Sequence, residues 1–389
     1  MHTPHLKQKE TALPIMNNAK RLVGTLILLA LFGGALFFAL RSNEHTQQIA
    51  QEQAAIASAE PLQGLIAVDV EPFFKDDRVT QVLAQAKLPV RVARVGSRDM
   101  AGKIGTADQP DFFIASGVVA ANMIADAARK AGKTATQTSP FHTPLVVASW
   151  EPVAKILAAN AMAKPMAPKV YALDMEKLTQ AMLAKQRWRD LKASGDYAVS
   201  RSVLVSTTDI RRSNSAAMYL ALTSAALNGD VVADRTAAQK YAGQLAELFK
   251  RQGFQENYVN GAFDDYLAIG MGKTPLTFIY EAQMVAQALK GGVRPEMVLM
   301  YPQPTIVNKW VLVSLNERGK RLAELLAANK TLQAVALEQG FRTGDTEAFA
   351  ASAQKAGLAV DVNLKQVIDP PGFDLMFEMI DIVSREMNQ

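Results

Sequence analysis

Residues 276–289 read LTFIYEAQMVAQAL, and this stretch carries the pattern on which the fold prediction rests. Leu276–Tyr280 is a short apolar run, which predicts a buried strand, and Glu281–Leu289 carries its apolar residues at helical spacing. The same alternation recurs from Leu65–Val70 at one end to Phe373–Met387 at the other. Strands that alternate with helices predict an α/β fold with parallel sheets and right-handed crossovers.

The alternation covers most of the chain after Pro61, and roughly 330 residues of it are too many for one compact sheet, so two α/β lobes are expected. The stretch 160–200 is weakly patterned. The predicted strands are Leu65–Val70, Val90–Val95, Asp111–Ile114, Leu145–Ser149, Ser202–Ser206, Leu276–Tyr280, Val298–Tyr301 and Ile306–Val313.

The chain has 389 residues and no cysteine. The absence of cysteine excludes disulfides, thiolate metal sites, iron–sulfur clusters and a cysteine nucleophile. It also excludes a lipid anchor attached through a cysteine. It does not fix the compartment, because cysteine-free proteins suit both the cytosol and the periplasm.

Leu22–Leu40 is an uncharged apolar run of 19 residues. As a helix it would span roughly 28 Å, which is close to the thickness of the hydrocarbon core of a membrane. A cleaved signal peptide is the alternative, but its apolar stretch would be shorter and its cleavage site nearer. Ala57–Ala59 has suitable small residues but lies 17 positions beyond Leu40. The pattern therefore favours a retained single-pass anchor.

The charges beside this run predict its orientation. Four basic residues precede it (Lys7, Lys9, Lys20 and Arg21), whereas only Arg41 follows closely. Basic residues favour the cytoplasmic side, which predicts an anchor in a bacterial inner membrane with residues 42–389 in the periplasm.

The net charge of +5 comes mainly from the first 41 residues. Residues 1–21 hold four basic residues and one acidic residue; without them and Arg41, 42 − 5 = 37 basic and 37 − 1 = 36 acidic residues remain. The large domain is therefore nearly neutral, which disfavours a nucleic-acid partner.

Motifs for catalysis and metal binding are missing from the sequence. Gly270–Thr274 (GMGKT) resembles the end of a phosphate-binding loop, but the first glycine of that motif would fall at Leu267, so a helix end is the better interpretation. No Gly-x-Ser-x-Gly motif occurs, and the histidines show no metal-ligand spacing: His2, His5, His45 and His142. We therefore expect a protein that is not an enzyme and has no cofactor or bound metal.

The densest polar stretch is Ser206–Ser215 (STTDIRRSNS), which lies between a predicted strand and a predicted helix. Ligands of α/β proteins bind where strands feed helix N-termini, and free N–H groups there favour anions. The simpler interpretation is that Ser213 or Asn214 caps the helix and the arginines are solvated. Ser116 and Tyr280 end other predicted strands in the same way.

Several segments, in their order, resemble a type II periplasmic solute-binding protein of the molybdate-binding-like group. The resemblance covers most of residues 62–345, and no one segment is specific alone. The segments are Pro110–Phe113, Thr143–Val147, Trp188–Lys192, Ser213–Ser215, Phe278–Glu281, Tyr301–Thr305 and the helices of Gly319–Gly340 that end in Phe341.

The resemblance implies two lobes that are joined by crossover strands and close on a ligand by hinge motion. The apolar run and its flanks add a cytoplasmic tail at 1–21, an anchor at 22–40 and a stalk at 41–61, and the retained anchor departs from the usual pattern of transport binding proteins. Lobe 1 would hold 62–148 plus 277–389, and lobe 2 would hold 149–276. Carried over residue by residue, Ser116, Ser213, Ser215 and Tyr280 fall on ligand-contacting turns.

Acidic residues depart from the pattern of an oxyanion binder. Asp69 and Glu71 stand where a small hydroxyl residue is usual, and Glu281 follows Tyr280. Carboxylates repel an oxyanion unless a nearby cation neutralises their charge. A zwitterion, an amine, a metal cation or a peptide is therefore at least as good a candidate ligand. The full set of predicted ligand-binding residues is Asp69, Glu71, Ser116, Thr208, Asp209, Arg211, Arg212, Ser213, Asn214, Ser215, Tyr280 and Glu281.

Two functions remain open. The first is a membrane-anchored periplasmic protein that captures a small molecule or an ion for transport or sensing, with an inner-membrane transporter or an envelope protein as its partner. The alternative is an envelope interaction module that uses the same fold to dock a protein. An envelope enzyme would need a nucleophile and a base that converge in the cleft, and the sequence shows no such pair.

Overall fold

The computed structural model describes residues 41, 58–97, 99–253, 255 and 259–388, and for 259 and 260 only the backbone. The chain divides into two units, Met1–Ala59 and Glu60–Gln389. The predicted tail, the predicted span at Leu22–Leu40 and most of the predicted stalk lie outside the described residues. Among the helices that are described, none is long and apolar enough to cross a membrane.

Strands and helices alternate through the second unit. The strands are β1 (Leu62–Ile66), β2 (Val90–Arg94), β3 (Phe112–Ser116), β4 (Thr136–Trp150), β5 (Ala163–Ala167), β6 (Val170–Asp174), β7 (Leu276–Tyr280), β8 (Met297–Gln303), β9 (Thr305–Ser314) and β10 (Val367–Ile368). The helices are α1 (Glu71–Phe74), α2 (Asp77–Gln85), α3 (Val118–Lys130), α4 (Glu151–Ala159), α5 (Met175–Leu183), α6 (Asn214–Asn228), α7 (Arg235–Lys250), α8 (Val259–Ala268), α9 (Glu281–Leu289), α10 (Glu317–Ala328), α11 (Lys330–Glu338), α12 (Thr346–Lys355) and α13 (Phe373–Met387).

In the described part of the chain the strands form one sheet of ten, in the order β2-β1-β3-β9-β4-β8-β6-β5, with β10 beside β9 and β7 beside β4. The pairs β1–β2, β1–β3, β6–β8 and β9–β10 are parallel, but β4 and β9 pair antiparallel with each other and with β7, β8 and β3. The prediction of purely parallel sheets is therefore wrong, and the sheet is mixed. Apolar strands that are buried on both faces carry no signal of their direction, which is why the sequence did not show this.

Two hydrophobic clusters form on this sheet. The first draws its buried residues from 62–141, Ala282 and 310–341, and the second from 145–306 and 349–383. The boundary crosses β4 between Phe141 and Leu145, and it crosses β9 between Ile306 and Trp310. Each of these two strands therefore begins in one cluster and ends in the other, as crossover strands between two packed bodies do.

Aromatic side chains fill the first cluster beside the crossover. The ring of Trp310 lies 5.5 Å from that of Phe141, 5.7 Å from that of Phe73 and 4.4 Å from that of Phe341. Tilted and edge-to-face contacts of this kind stabilise a core beyond the area that they bury. Because Phe141 belongs to β4 and Trp310 to β9, these contacts hold both crossover strands in the first cluster.

The C-terminal helix α13 packs against α7. Its apolar residues recur at helical spacing and belong to the second cluster (Met376, Met379, Ile380 and Val383). The ion pair between Arg235 Nε and Glu378 Oε2, at 2.9 Å, joins the two helices at their surface. The lobe boundaries given above stay a prediction, but this packing places the last helices with the second cluster and not with residues 62–148.

Two of the predicted strands are displaced or missing in the structure. The first strand occupies Leu62–Ile66, and a 3₁₀ turn (Val68–Val70) follows it. Ser202–Ser206 forms no strand, although Val203 and Val205 point into the core as strand residues would. Only its two ends make single bridges, to residues 187 and 277, so burial produced the apolar pattern without a ladder.

Candidate functional site

Asp69 and Ser116 meet at the ends of two neighbouring parallel strands. Asp69 lies in the turn after β1, and Ser116 is the last residue of β3. The Ser116 hydroxyl donates to Asp69 Oδ2 at 3.1 Å, and its backbone N–H donates to Ser97 Oγ at 3.1 Å. Gly117 follows with a φ of +96°, a left-handed conformation that favours glycine and lets the chain turn into α3.

Three residues from the second cluster's side of the fold reach the same point. Asn308 in β9 donates from Nδ2 to Ser116 Oγ at 2.9 Å, and Asn214, at the start of α6, donates to Asn308 Oδ1 at 3.3 Å. The hydroxyl of Tyr280, at the end of β7, lies 3.5 Å from Ser116 Oγ. We call Asp69, Ser116, Asn214, Tyr280 and Asn308 the cleft cluster. It joins side chains from both sides of the crossover.

Burial dominates the electrostatics of the cleft cluster. It raises the pKa of Asp69 above the ordinary value, and the hydrogen bond from Ser116 and the nearby indole of Trp310 only partly oppose this rise. Burial and the charge of Asp69 also raise the pKa of Tyr280. Among the described residues no cation forms an ion pair with Asp69, so this half-buried carboxyl group has no compensating charge.

A groove of about 320 Å³ opens beside the cleft cluster and reaches Asp69 and Tyr280. Phe263 and Leu267 of α8 line it with apolar surface, and Lys290 after α9 also lines it. The groove therefore combines an unpaired acidic group, a phenol and apolar contacts, which is the composition of a site for a small organic molecule.

The polar stretch 206–215 lies just before α6. Ser213 is the N-cap residue of α6, but its side chain makes no cap hydrogen bond and accepts instead from the Thr208 hydroxyl at 2.7 Å. Ser215 Oγ is buried and has no hydrogen-bond partner in the part of the chain that the structure describes. The N-terminus of α6 thus keeps backbone N–H groups that no side-chain cap satisfies, beside an unpartnered hydroxyl.

Asp209 and Arg211 in this stretch bind each other. Three Arg211 groups reach the carboxylate: the backbone N–H and Nε donate to Oδ1, each at 2.9 Å, and Nη2 donates to Oδ2 at 2.5 Å. Burial opposes ionisation of Asp209, yet these bonds hold its pKa below the ordinary value. Arg211 Nη1 also donates to Asn388 Oδ1 at 3.1 Å, which ties the turn to the end of α13. Arg212 is exposed beside them.

Two of the predicted acidic ligands lie apart from the cleft cluster. Glu71 is half-buried, and its two oxygens pair with the exposed side chains of Lys75 at 3.0 Å and Arg94 at 3.2 Å. Glu281 is fully buried, and its two oxygens accept from Arg342 Nε and Nη2, each at 2.7 Å, and from the hydroxyl of Tyr301. Their carboxylates are thus occupied by cations of this chain, and their role as ligand contacts stays an untested prediction.

Arg342 connects this buried ion pair to the crossover strand β4. Its backbone N–H donates to His142 O at 2.8 Å, and its carbonyl accepts from His142 N at 3.0 Å. Its Nη2 donates to Asp361 O at 2.5 Å, and its guanidinium lies 4.9 Å from the centre of the Phe349 ring. We call Glu281, Tyr301 and Arg342 the crossover clamp.

Local geometry describes the GMGKT segment and His142. Gly270 ends α8 with a φ of +84°, and Lys273 pairs with Asp265 at 2.5 Å, so GMGKT is a helix end followed by a loop, as predicted. His142 lies within β4 and not in a loop. Within the described residues, no group of histidines and acidic residues is placed to hold a metal ion.

Sequence reasoning missed Asn308. It sits in the apolar strand TIVNKWVLVS and is completely buried. A polar residue inside such a run was the one available signal, because a buried amide needs hydrogen-bond partners.

The arrangement of one large mixed sheet, two hydrophobic clusters and crossover strands matches the fold of two-lobed periplasmic binding proteins. Comparison with solved structures supports this fold. An ABC transporter from Clostridium perfringens aligns over 84% of this chain and 100% of its own, with 12% identity and a TM-score of 0.52. The periplasmic binding protein AfuA from Actinobacillus pleuropneumoniae, solved with fructose-6-phosphate, aligns over 84% of this chain and 98% of its own, with 14% identity and a TM-score of 0.51.

Apo ferric ion-binding protein A from Pasteurella haemolytica covers 85% of this chain and 96% of its own, with 10% identity and a TM-score of 0.51. No family model and no curated protein matches the sequence. At these identities the likeness concerns the fold, and the molybdate-binding-like grouping stays a prediction.

Proposed function

We propose that this protein is a membrane-anchored periplasmic solute-binding protein that captures a small ligand between its two lobes for transport or sensing. The observation that carries the proposal is the cleft cluster: the ends of β1, β3 and β7 and the start of α6 bring polar side chains from both sides of the crossover to one point. The solved relatives of the same fold include binding proteins, and binding does not require the catalytic residues that the sequence lacks.

The charges of the cleft favour a ligand with both a cationic and an anionic group. Asp69 offers a carboxyl group without a cation, which suits an amine. The start of α6 offers uncapped N–H groups and the unpartnered Ser215 hydroxyl, which suit a carboxylate or another anion. A zwitterion could bind both the Asp69 carboxyl group and the start of α6, whereas a simple oxyanion could bind only the start of α6.

A thermal-shift screen of the full-length protein in detergent tests the proposal. The panel holds amino acids, short peptides, metal ions and oxyanions at millimolar concentration. A ligand at one hundred times its Kd stabilises the folded state by about 2.7 kcal/mol, so a specific binder should raise the Tm measurably. Asp69→Asn should abolish the shift, and the surface control Asp126→Asn should keep it. If the folded wild type responds to no member of the panel, or Asp69→Asn responds like the wild type, capture in this cleft is wrong.

The anchor is a separate part of the proposal and needs its own experiment. The full chain should sediment with inner membranes and resist extraction by carbonate, whereas a chain that begins after residue 57 should not. A full chain that is recovered entirely in the soluble periplasmic fraction would refute the anchor and leave ligand capture untouched.

One observation favours the alternative function, docking of an envelope protein. Gly117 and Asn214 approach so closely that a Cβ on Gly117 would lie 2.8 Å from Asn214 Nδ2. The two sides of the cleft thus contact each other directly at the cleft cluster. Purification of the anchored protein in a stoichiometric complex with an envelope protein, together with a screen that gives no hit, would favour the docking function.

A further inference from the structure

Helix α8 separates two cavities. Phe263 and Leu267 face the groove beside the cleft cluster, and Ala262 and Asp265 face a second cavity of about 200 Å³. The second cavity lies on the far side of α8 from the groove, and its wall is completed by residues of 201–207, by Arg251, Gln252 and Gln255, and by the loop before β7. It is therefore a different space from the candidate ligand cleft.

We call this second cavity the α8 cavity. Two side chains in its wall are buried, and each has a polar atom without a hydrogen-bond partner among the described residues. Thr207 is 4% exposed and Gln255 is 7% exposed, and in the described part of the chain neither Thr207 Oγ1 nor Gln255 Oε1 has a hydrogen-bond partner. The orientation of Gln255 is set by its Nε2, which donates to Phe249 O at 3.3 Å and so leaves Oε1 as an acceptor. Buried polar atoms of this kind normally have a partner, so these two atoms indicate a group that fills the α8 cavity.

The charged wall of the α8 cavity is predominantly basic. Arg201, Arg251 and Lys273 line it, against a single acidic residue, Asp265. Lys273 pairs with Asp265 at 2.5 Å, and Arg251 donates from Nη1 to Met182 O at 2.6 Å. A guanidinium carries five N–H donors, so Arg251 has donors to spare for an anion. The excess of positive charge beside unsatisfied oxygens fits a ligand that is both anionic and hydroxylated.

We propose that the α8 cavity is a second binding site, for a small hydroxylated anion such as a phosphate monoester or a hydroxycarboxylate. Its anionic oxygens accept from Arg251 and Lys273, and its hydroxyl group donates to Gln255 Oε1 and exchanges a hydrogen bond with Thr207. The site does not depend on ligand capture in the cleft, because it shares only the helix α8 with the groove.

Titration of the full-length protein with glycerol 3-phosphate, followed by calorimetry and thermal shift, tests the proposal. Glycerol and inorganic phosphate are the matched half-probes. The wild type should bind glycerol 3-phosphate at least tenfold more tightly than phosphate and should not bind glycerol. Equal binding of glycerol, or no binding of glycerol 3-phosphate, would overturn the proposal and leave water as the occupant.

Matched variants locate the binding. Thr207→Val and Lys273→Gln should each weaken glycerol 3-phosphate binding at least fivefold. Thr277→Val is the control for the first, because Thr277 Oγ1 is equally buried and unpartnered but does not line the α8 cavity. Lys185→Gln is the control for the second, because Lys185 pairs with Glu247 at 2.9 Å in the same half of the fold.

Both controls should bind the probe like the wild type. Asp69→Asn should do so too, which separates this site from the cleft. If Thr207→Val and Lys273→Gln bind the probe as tightly as the wild type, the probe lies elsewhere and the proposal is wrong.

Discussion

Replacement of Arg342 by methionine should strongly destabilise the protein, because it leaves the carboxylate of Glu281 buried without a cation. Glu281 is 0% exposed and Arg342 is 4% exposed, so water cannot take the place of the lost guanidinium. Removing one partner of a buried pair costs about 3–5 kcal/mol. The upper part of this range applies here, because Arg342 makes two bonds to Glu281 and a further one to Asp361.

A loss of about 4 kcal/mol should lower the Tm by roughly 6 °C in a folded unit of this size. Thermal unfolding followed by circular dichroism measures this directly. Arg94→Met is the matched control, since the exposed Arg94 pairs at 3.2 Å with the half-buried Glu71, and an ion pair that water reaches contributes only about 0–1 kcal/mol.

A double-mutant cycle then isolates the ion pair itself. The double variant Glu281→Leu with Arg342→Met replaces both charges with apolar groups and should be clearly less destabilised than the sum of the single changes. If Arg342→Met lowers the Tm no more than Arg94→Met does, or if the single effects simply add, the crossover clamp does not stabilise the fold as argued.

Two further predictions concern the same region. Burial and the charges of Arg342 and Lys309 lower the pKa of His142 from 6.5 to about 4, so the unfolded chain binds the proton first as pH falls and the folded state loses stability between about pH 6.5 and 4. Because His142 is partly exposed, we expect a loss of only about 1–2 kcal/mol, absent in His142→Gln; equal Tm–pH slopes for both proteins would refute it. Gly340→Ala should cost about 2–4 kcal/mol, because Gly340 has a φ of +83° and a Cβ would lie 2.2 Å from Ala282 O. Gly132→Ala, at a φ of +70° with open space around it, should cost only about 1 kcal/mol in the same melts, and equal losses would contradict the steric argument.

The sequence predicted secondary structure best where a segment shows a single periodicity, either that of a strand or that of a helix. Leu276–Tyr280 and Glu281–Leu289 form the strand and the helix that the sequence predicts, residue for residue. Ser202–Ser206 was wrongly predicted as a strand because Val203 and Val205 are buried at strand spacing. Its backbone forms β-bridges only at the two end residues. The apolar pattern reports burial, and it reports a ladder only when a neighbouring strand is present.

The candidate site was predictable in part for a similar reason. Ser116 and Tyr280 end strands and Asn214 begins a helix, and such element ends are where α/β proteins bind ligands. Asn308 was missed because it lies in the middle of a strand. Glu281 was grouped with Tyr280 as its neighbour in sequence, but its partner Arg342 lies 61 positions away, a distance that no local pattern reveals.

The continuity of β4 through both hydrophobic clusters restricts how this chain can vary in length. Successive side chains of a strand point to opposite faces, so inserting or deleting one residue between Phe141 and Leu145 would turn every following side chain of β4 to the wrong face. The residues that pair with β7 and β8 are buried on both faces, so each would then meet a core surface packed to fit its neighbour. Surface loops on either side can gain or lose residues freely, whereas the few residues of β4 that lie between the two cores must keep their number in any protein that folds in this way.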